Sequence, residues 1–172
     1  MATYKQLFDI GESFGQFVKR GLEHEIAAVN ASLKKLADDG VLSKMTLTRL
    51  NAIKQQYHLL VAGEMWCSDC HKNMAAMHVM CQYQPNIRMS IITKGRAEDD
   101  LQLDDIAIPM VAILDSDFNL IGSFLKKPSS VVRRLDETVM TQYNAGLLLE
   151  DTITDILAII YHHDTQRDRS SS

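Results

Sequence analysis

The stretch Tyr57-His58-Leu59-Leu60-Val61-Ala62-Gly63-Glu64-Met65-Trp66-Cys67-Ser68-Asp69-Cys70-His71 decides how this chain is read. Its first six residues are apolar apart from His58 and are stopped by Gly63, which suits a strand buried on both faces of a sheet. A helix is expected from Cys67 to about Gln82, so the two cysteines stand where a strand hands over to a helix. Cysteines three apart at a helix start lie on one side, close enough for their sulfurs to close a disulfide. The unpaired N–H groups and the positive end of the helix dipole favour a thiolate at the first of them. That makes Cys67 the attacking thiol and Cys70 the deeper one, which resolves a mixed disulfide.

Toward the C-terminus a strand is expected at Ile87 to Ile92, then a charged connection from Lys94 to Asp105. The apolar runs Met110 to Leu114 and Leu120 to Leu125 flank the turn-forming Asp115, Ser116, Asp117 and Asn119, and read as an antiparallel hairpin. Beyond Pro128, Ser129 to Tyr143 reads as helix, and Leu147 to Tyr161 as a strongly apolar helix. Toward the N-terminus, Leu22, Ile26, Val29, Leu33 and Leu36 advance by four, three, four and three, an amphipathic helix that Gly40 stops. Tyr4 to Arg20 also reads as helix, weakened by Gly11 and Gly15. Leu47, Leu50 and Ile53 mark a shorter helix after the candidate cap Thr46. The expected organisation is one α/β domain: residues 1–56 a helical extension, 57–163 a sheet domain with C-terminal helices, and 164–172 a disordered tail.

Trp66-Cys67-Ser68-Asp69-Cys70, together with Ile108-Pro109 ahead of the strand Val111 to Asp115, resembles the thioredoxin superfamily. Within it the chain is similar to bacterial thioredoxin-like proteins whose active site reads Trp-Cys-Gly-Asp-Cys. The resemblance covers roughly Tyr57 to Leu135. It implies a central mixed sheet flanked by helices, here with an N-terminal helical extension and an extra C-terminal helix. It implies a dithiol–disulfide oxidoreductase, most simply a protein-disulfide reductase, with Cys67 and Cys70 catalytic. It also implies that Pro109 is a cis-proline facing the dithiol and that the backbone before it, at Ile108, pairs with substrate beside Trp66. A helix usually fills the stretch that reads here as a charged connection. Two departures bear on the thiols. Val61 stands where ordinary thioredoxins carry a buried acid six residues before the first cysteine, and Glu64 is the nearest candidate to replace it. Ser68 and Asp69 replace Gly-Pro, and the Asp69 anion should oppose the thiolate and modulate the site.

Other readings of these cysteines stay open. Cys67-Ser68-Asp69-Cys70-His71 matches the C-x-x-C-H haem-attachment pattern, which ordinarily accompanies export. Cys67, Cys70, His78 and Cys81 are zinc-type ligands, but on one helix they extend over roughly four turns, too far for a single tetrahedral ion. A thioredoxin-fold binding or scaffold protein or redox sensor could keep the pair without turnover, and two small core residues are the bland alternative. Cys70, Met74, Met77 and Cys81 share one helical face, which makes Cys81 a core thiol. His71 is expected exposed at the flank of the site, and the His162-His163 pair has no accompanying ligands.

A formal charge of −4 in 172 residues gives no reason to expect nucleic acid or an anionic membrane as partner. The first twenty residues carry charged or polar side chains every few positions, unlike a signal peptide or membrane span, so a cytoplasmic protein is expected. Three cysteines are too few for a secreted disulfide framework. Gly95 is the one glycine between Lys94 and Ile108, nothing resembles a nucleotide fingerprint, and neither cofactor nor metal is expected. The expected partner is a disulfide-containing protein or a small thiol or disulfide. The N-terminal helices and the helix Leu147 to Tyr161 are compatible with packing on the sheet or with a homodimer contact.

Overall fold

The computed structural model describes residues 1–170. Its sheet has four strands, β1 (Tyr57–Ala62), β2 (Ile87–Ile92), β3 (Met110–Leu114) and β4 (Leu120–Leu125), in the order β2-β1-β3-β4. β1 runs parallel to β2 and antiparallel to β3, and β3 and β4 form the expected hairpin. Before the sheet come α1 (Tyr4–Ile10), α2 (Phe14–Lys19), α3 (Glu23–Ala37) and α4 (Lys44–Asn51). α5 (Ser68–Tyr83) is the crossover between the parallel strands, and α6 (Lys94–Leu101) joins β2 to β3. α7 (Ser129–Arg134), α8 (Glu137–Asn144) and α9 (Leu149–Ser170) follow β4.

Every residue of β1 is buried, because helices cover both faces of the strand. Its odd residues Leu59 and Val61 point to one side, where Phe17, Val29, Leu50, Met74, Met77, Ile153 and Leu157 from five helices close a single large core. Leu60 and Ala62 point to the other, against Leu7 and Phe8 of α1 and Ala97 of α6. This period-two division is what alternation of Cβ direction in a strand requires. It also means that α2, α3, α4 and α9 share one core with the sheet.

Several local readings need correction. The segment Tyr4 to Arg20 is two helices, each opened by its own capping box, Thr3 with Gln6 and Ser13 with Gln16. Between them Glu12 is extended and exchanges two backbone hydrogen bonds with Ile91, at 2.8 and 2.9 Å, along the outer edge of β2. Gly11 allows that approach: a Cβ there would sit 2.0 Å from Ser90 Oγ. The charged connection is the helix α6, capped by Thr93, laced by Lys94–Glu98 and Arg96–Asp100 pairs and anchored by buried Ala97. The cap of α4 is Ser43, whose Oγ accepts the N–H of Thr46 at 3.2 Å, so Thr46 lies inside the helix. Ser129 to Tyr143 breaks at Leu135, whose φ is 27°, and Asp136 caps α8 through the Val139 N–H. α9 continues to Ser170, through 164–170 of the expected disordered tail. A hydrogen bond from the Tyr57 hydroxyl to Asp164 ties this part of the helix to β1; Ser171 and Ser172 lie outside the described residues. Among the described residues no helix is long and apolar enough to cross a membrane.

Candidate active site

Cys67 is the N-cap of α5: its backbone is extended, with φ −97° and ψ 119°, and its carbonyl accepts the first helical bond, from His71. A residue in this position faces the first-turn N–H groups that have no partner within the helix. The Cys70 thiol, and after it the backbone N–H groups of Cys70 and Asp69, favour the anion of this sulfur, although no backbone N–H closes a cap hydrogen bond to it. Together these outweigh burial and the negative charge of Asp69, and they hold the Cys67 thiol down at about 6, well below an ordinary thiol. Cys70 is 1% exposed. Donating to Cys67 and lying in an apolar environment, it is pushed strongly upward and remains protonated; only the Glu64 backbone N–H opposes this.

The Cys67 sulfur lies 3.7 Å from the carbonyl oxygen of Ile108, and the Ile108–Pro109 peptide bond is cis. Ile108 and Pro109 are buried. The Pro109 carbonyl accepts the Lys126 N–H at 2.8 Å, which pins this loop to the end of β4. Trp66, next to Cys67, is 64% exposed, the only tryptophan and one of the largest apolar surfaces on the molecule. Ser68 is exposed. The structure therefore brings Trp66, Cys67, Cys70, Ile108 and Pro109 to one end of the sheet, although Cys67 and Ile108 are 41 residues apart.

A family model described as thioredoxin matches residues 12–142, most of the chain. The chain belongs to the thioredoxin family. Its mixed sheet, flanked by helices on both faces, is accordingly a thioredoxin-like fold. Two solved structures are similar over nearly the whole length. One is a protein of unknown function from Pseudomonas aeruginosa, with 47% identity and a TM-score of 0.90, covering 95% of this chain and 99% of that one. The other is an HIV epitope-scaffold, also with 47% identity, with a TM-score of 0.89, covering 94% of this chain and 99% of that one. No curated protein matches the chain.

In this thioredoxin-family site Asp69 is not the bare anion that its place between the cysteines predicts. Its carboxylate is 3.2 Å from Lys127 Nζ and accepts the Tyr143 hydroxyl at 2.5 Å. Lys127 and Tyr143 stand 58 and 74 residues away, and no local pattern marks either of them. Glu64 is occupied elsewhere: its carboxylate accepts the N–H of Lys94 at the start of α6, at 3.1 Å. Val61, at the position of the family's buried acid, is fully buried in the apolar core. His71 is half-buried, not exposed, because its Nε2 reaches back to the carbonyl of Met65. His78 stacks on Phe14 with centroids 4.2 Å apart, far along α5 from the N-cap. Cys81 is half-buried and packs against the edge of the core, not within it as its helical phase predicts; desolvation there still pushes it up to about 12. Among the described residues no three His, Cys, Asp or Glu side chains come together as a metal ion would need.

Proposed function

We propose that this protein is a thiol–disulfide oxidoreductase of the Trp-Cys-x-Asp-Cys kind, acting as a protein-disulfide reductase. The observation that carries the reading is the contrast between the two thiols. Cys67 is accessible and held at about 6, while Cys70 is buried beside it and kept protonated. The Cys67 thiolate attacks one sulfur of a substrate disulfide; that S–S bond breaks, the other substrate sulfur leaves as a thiolate and a mixed disulfide forms. Cys70 then gives up its proton and attacks the Cys67 sulfur, releasing the second substrate thiol. The substrate gains two electrons, the protein becomes the Cys67–Cys70 disulfide, and an external dithiol must reduce it for another cycle.

The Cys67 anion, and burial after it, explain why Cys70 waits. Its proton is held by the Cys67 thiolate, and once Cys67 is tied up in a mixed disulfide that negative charge is gone and the barrier to ionising Cys70 falls. A substrate strand lying along the backbone at Ile108, ahead of Pro109, puts its disulfide next to the Cys67 sulfur, and Trp66 offers an exposed aromatic face to the same segment. A cytoplasmic setting, where thiols are kept reduced, suits this direction of electron transfer.

The test is trapping. Incubated with a peptide containing one intermolecular disulfide, Cys70→Ser should accumulate a mixed disulfide through Cys67, detectable by intact mass and released by reductant. Cys67→Ser should form none, and Ile108→Asp in the Cys70→Ser background should trap less without slowing alkylation of Cys67. If Cys70→Ser captures neither the peptide nor any disulfide protein from a cell extract, the oxidoreductase reading fails and a non-catalytic binding role replaces it.

A further inference from the structure

Asp69 sits between the two cysteines, yet its carboxylate is only 13% exposed and the Lys127 side chain that meets it 16%. Tyr143, which donates to Asp69, accepts from Asn73 Nδ2 at 2.9 Å, and Asn73 Oδ1 accepts the Thr152 hydroxyl at 2.6 Å. Asn73 Nδ2 also lies 2.9 Å from the Lys126 carbonyl, and the Lys126 N–H holds the Pro109 carbonyl. One connected polar network thus joins the first turns of α5 to the loop ahead of β3, the turn after β4, and helices α8 and α9.

Burying such groups is costly, and an apolar set of the same volume commonly serves stability as well or better. What an apolar set lacks is charge. A bare carboxylate two residues from Cys67 opposes its thiolate; the same carboxylate paired with an ammonium and a hydroxyl donor opposes it less, and the pairing is strengthened because both side chains are largely withdrawn from solvent. We propose that Asp69, Lys127 and Tyr143 form a charge-compensated clamp that seats the cysteine pair against the Pro109 loop and sets the acidity of Cys67. All three are positioning residues, and the proposal rests on the dithiol reading above.

The charged and titratable groups around the clamp are few. From α5 they are Cys67, Cys70 and Lys72, whose Nζ lies 5.5 Å from the centre of the Tyr143 ring. Lys127, from the turn after β4, lies 5.7 Å from that centre. His71 is turned to Met65, and Glu64 to the start of α6. Lys127 is therefore the cation in contact with Asp69, and removing either partner leaves the other uncompensated.

The test measures the pH dependence of Cys67 alkylation and the equilibrium potential against glutathione in the full-length protein. Lys127→Met and Tyr143→Phe should raise the alkylation midpoint, by on the order of half to one pH unit for a neighbouring charge left uncompensated, and make the couple more reducing because the reduced thiolate is destabilised. Asp69→Asn should shift both in the opposite direction, since Lys127 is left facing the thiolate. Asp69→Asn combined with Lys127→Met should return toward wild type, and Lys127→Arg should keep the wild-type midpoint. Shifts of one sign in all variants, or lost stability with unmoved midpoints, would overturn the clamp. Should Lys127→Met fail to fold, Tyr143→Phe, which removes a single oxygen, carries the same sign test. A wild-type midpoint near that of a free thiol would instead sink the dithiol reading itself.

Discussion

Cys67 and Cys70 begin with the same thiol chemistry, and three residues of helix separate their behaviour. The N-cap position gives Cys67 donors that favour its anion; one turn further in, Cys70 has apolar neighbours and an anion as its hydrogen-bond acceptor. Alkylation of the reduced protein should therefore modify Cys67 first, with a midpoint near pH 6 and a plateau above pH 7, followed by mass spectrometry of the labelled peptides. Cys81 should stay unlabelled at neutral pH, because burial pushes it up to about 12. Cys81→Ala is expected to keep disulfide exchange and to cost on the order of 1 kcal/mol in a urea titration. Preferential labelling of Cys81 would show that its surroundings have been misread. Asp69 shows the limit of reading charge from neighbours in sequence: its effect on Cys67 depends on Lys127 and Tyr143, which arrive from beyond β4.

At the scale of elements, each correction to the expected boundaries has a tertiary cause. Hydrophobic periodicity carries through Tyr4 to Arg20, but the outer edge of β2 offers unpaired backbone groups and Glu12 takes them, which breaks the helix in two. Gly11 and Gly15 weakened that helix in the sequence, and Gly11 is where the chain leaves α1. Gly11→Ala should destabilise the protein by about 1–3 kcal/mol, because the new methyl meets Ser90 Oγ and the Ile91 backbone. Denaturant midpoints measure it, and the Cys67 alkylation midpoint should not move. An unchanged denaturant midpoint would mean the edge contact is unimportant. α6 was expected from the family resemblance but not from its own residues: eight mostly polar positions with a single buried side chain, Ala97, read as a solvated connection.

For the whole molecule, the shared core decides cooperativity. Leu50 of α4 and Leu157 of α9 are fully buried in the same cluster as Leu59 and Val61 of β1. Leu50→Ala and Leu157→Ala should each cost about 2–5 kcal/mol and lower one common transition. Far-UV circular dichroism and the reactivity of Cys70 should report the same midpoint; separate transitions would mean the flanking helices fold apart from the sheet. The thiols also set a pH dependence for the reduced protein. Cys67 has a folded pKa of about 6, below its unfolded value of 9.0, so its contribution is full above pH 9 and is lost as pH falls through 6. Cys70 and Cys81 are raised, so their contributions are full below pH 9 and are lost above it. The thiol part of the stability should climb from pH 6 to 9 and then decline. In reduced Cys67→Ala the climb should be absent, which urea titrations at pH 6, 7.5 and 9 will check.

The sequence alone determined the four strands, the start of α5, and the pair Cys67 and Cys70 with the difference between them. Each of these follows from interactions within about four residues, namely the alternation of a strand, the period of a helix and the free N–H groups of a first turn. Ile108 and Pro109 were legible only through family resemblance, since nothing local says that a carbonyl 41 residues on will face the Cys67 sulfur. Tertiary structure alone decided the break between α1 and α2, the engagement of Glu64 at α6, and the pairing of Asp69 with Lys127 and Tyr143. Those contacts join groups from distant parts of the chain. Their energy depends on a separation and a dielectric that exist only once the sheet has brought α5, the turn after β4 and α8 together.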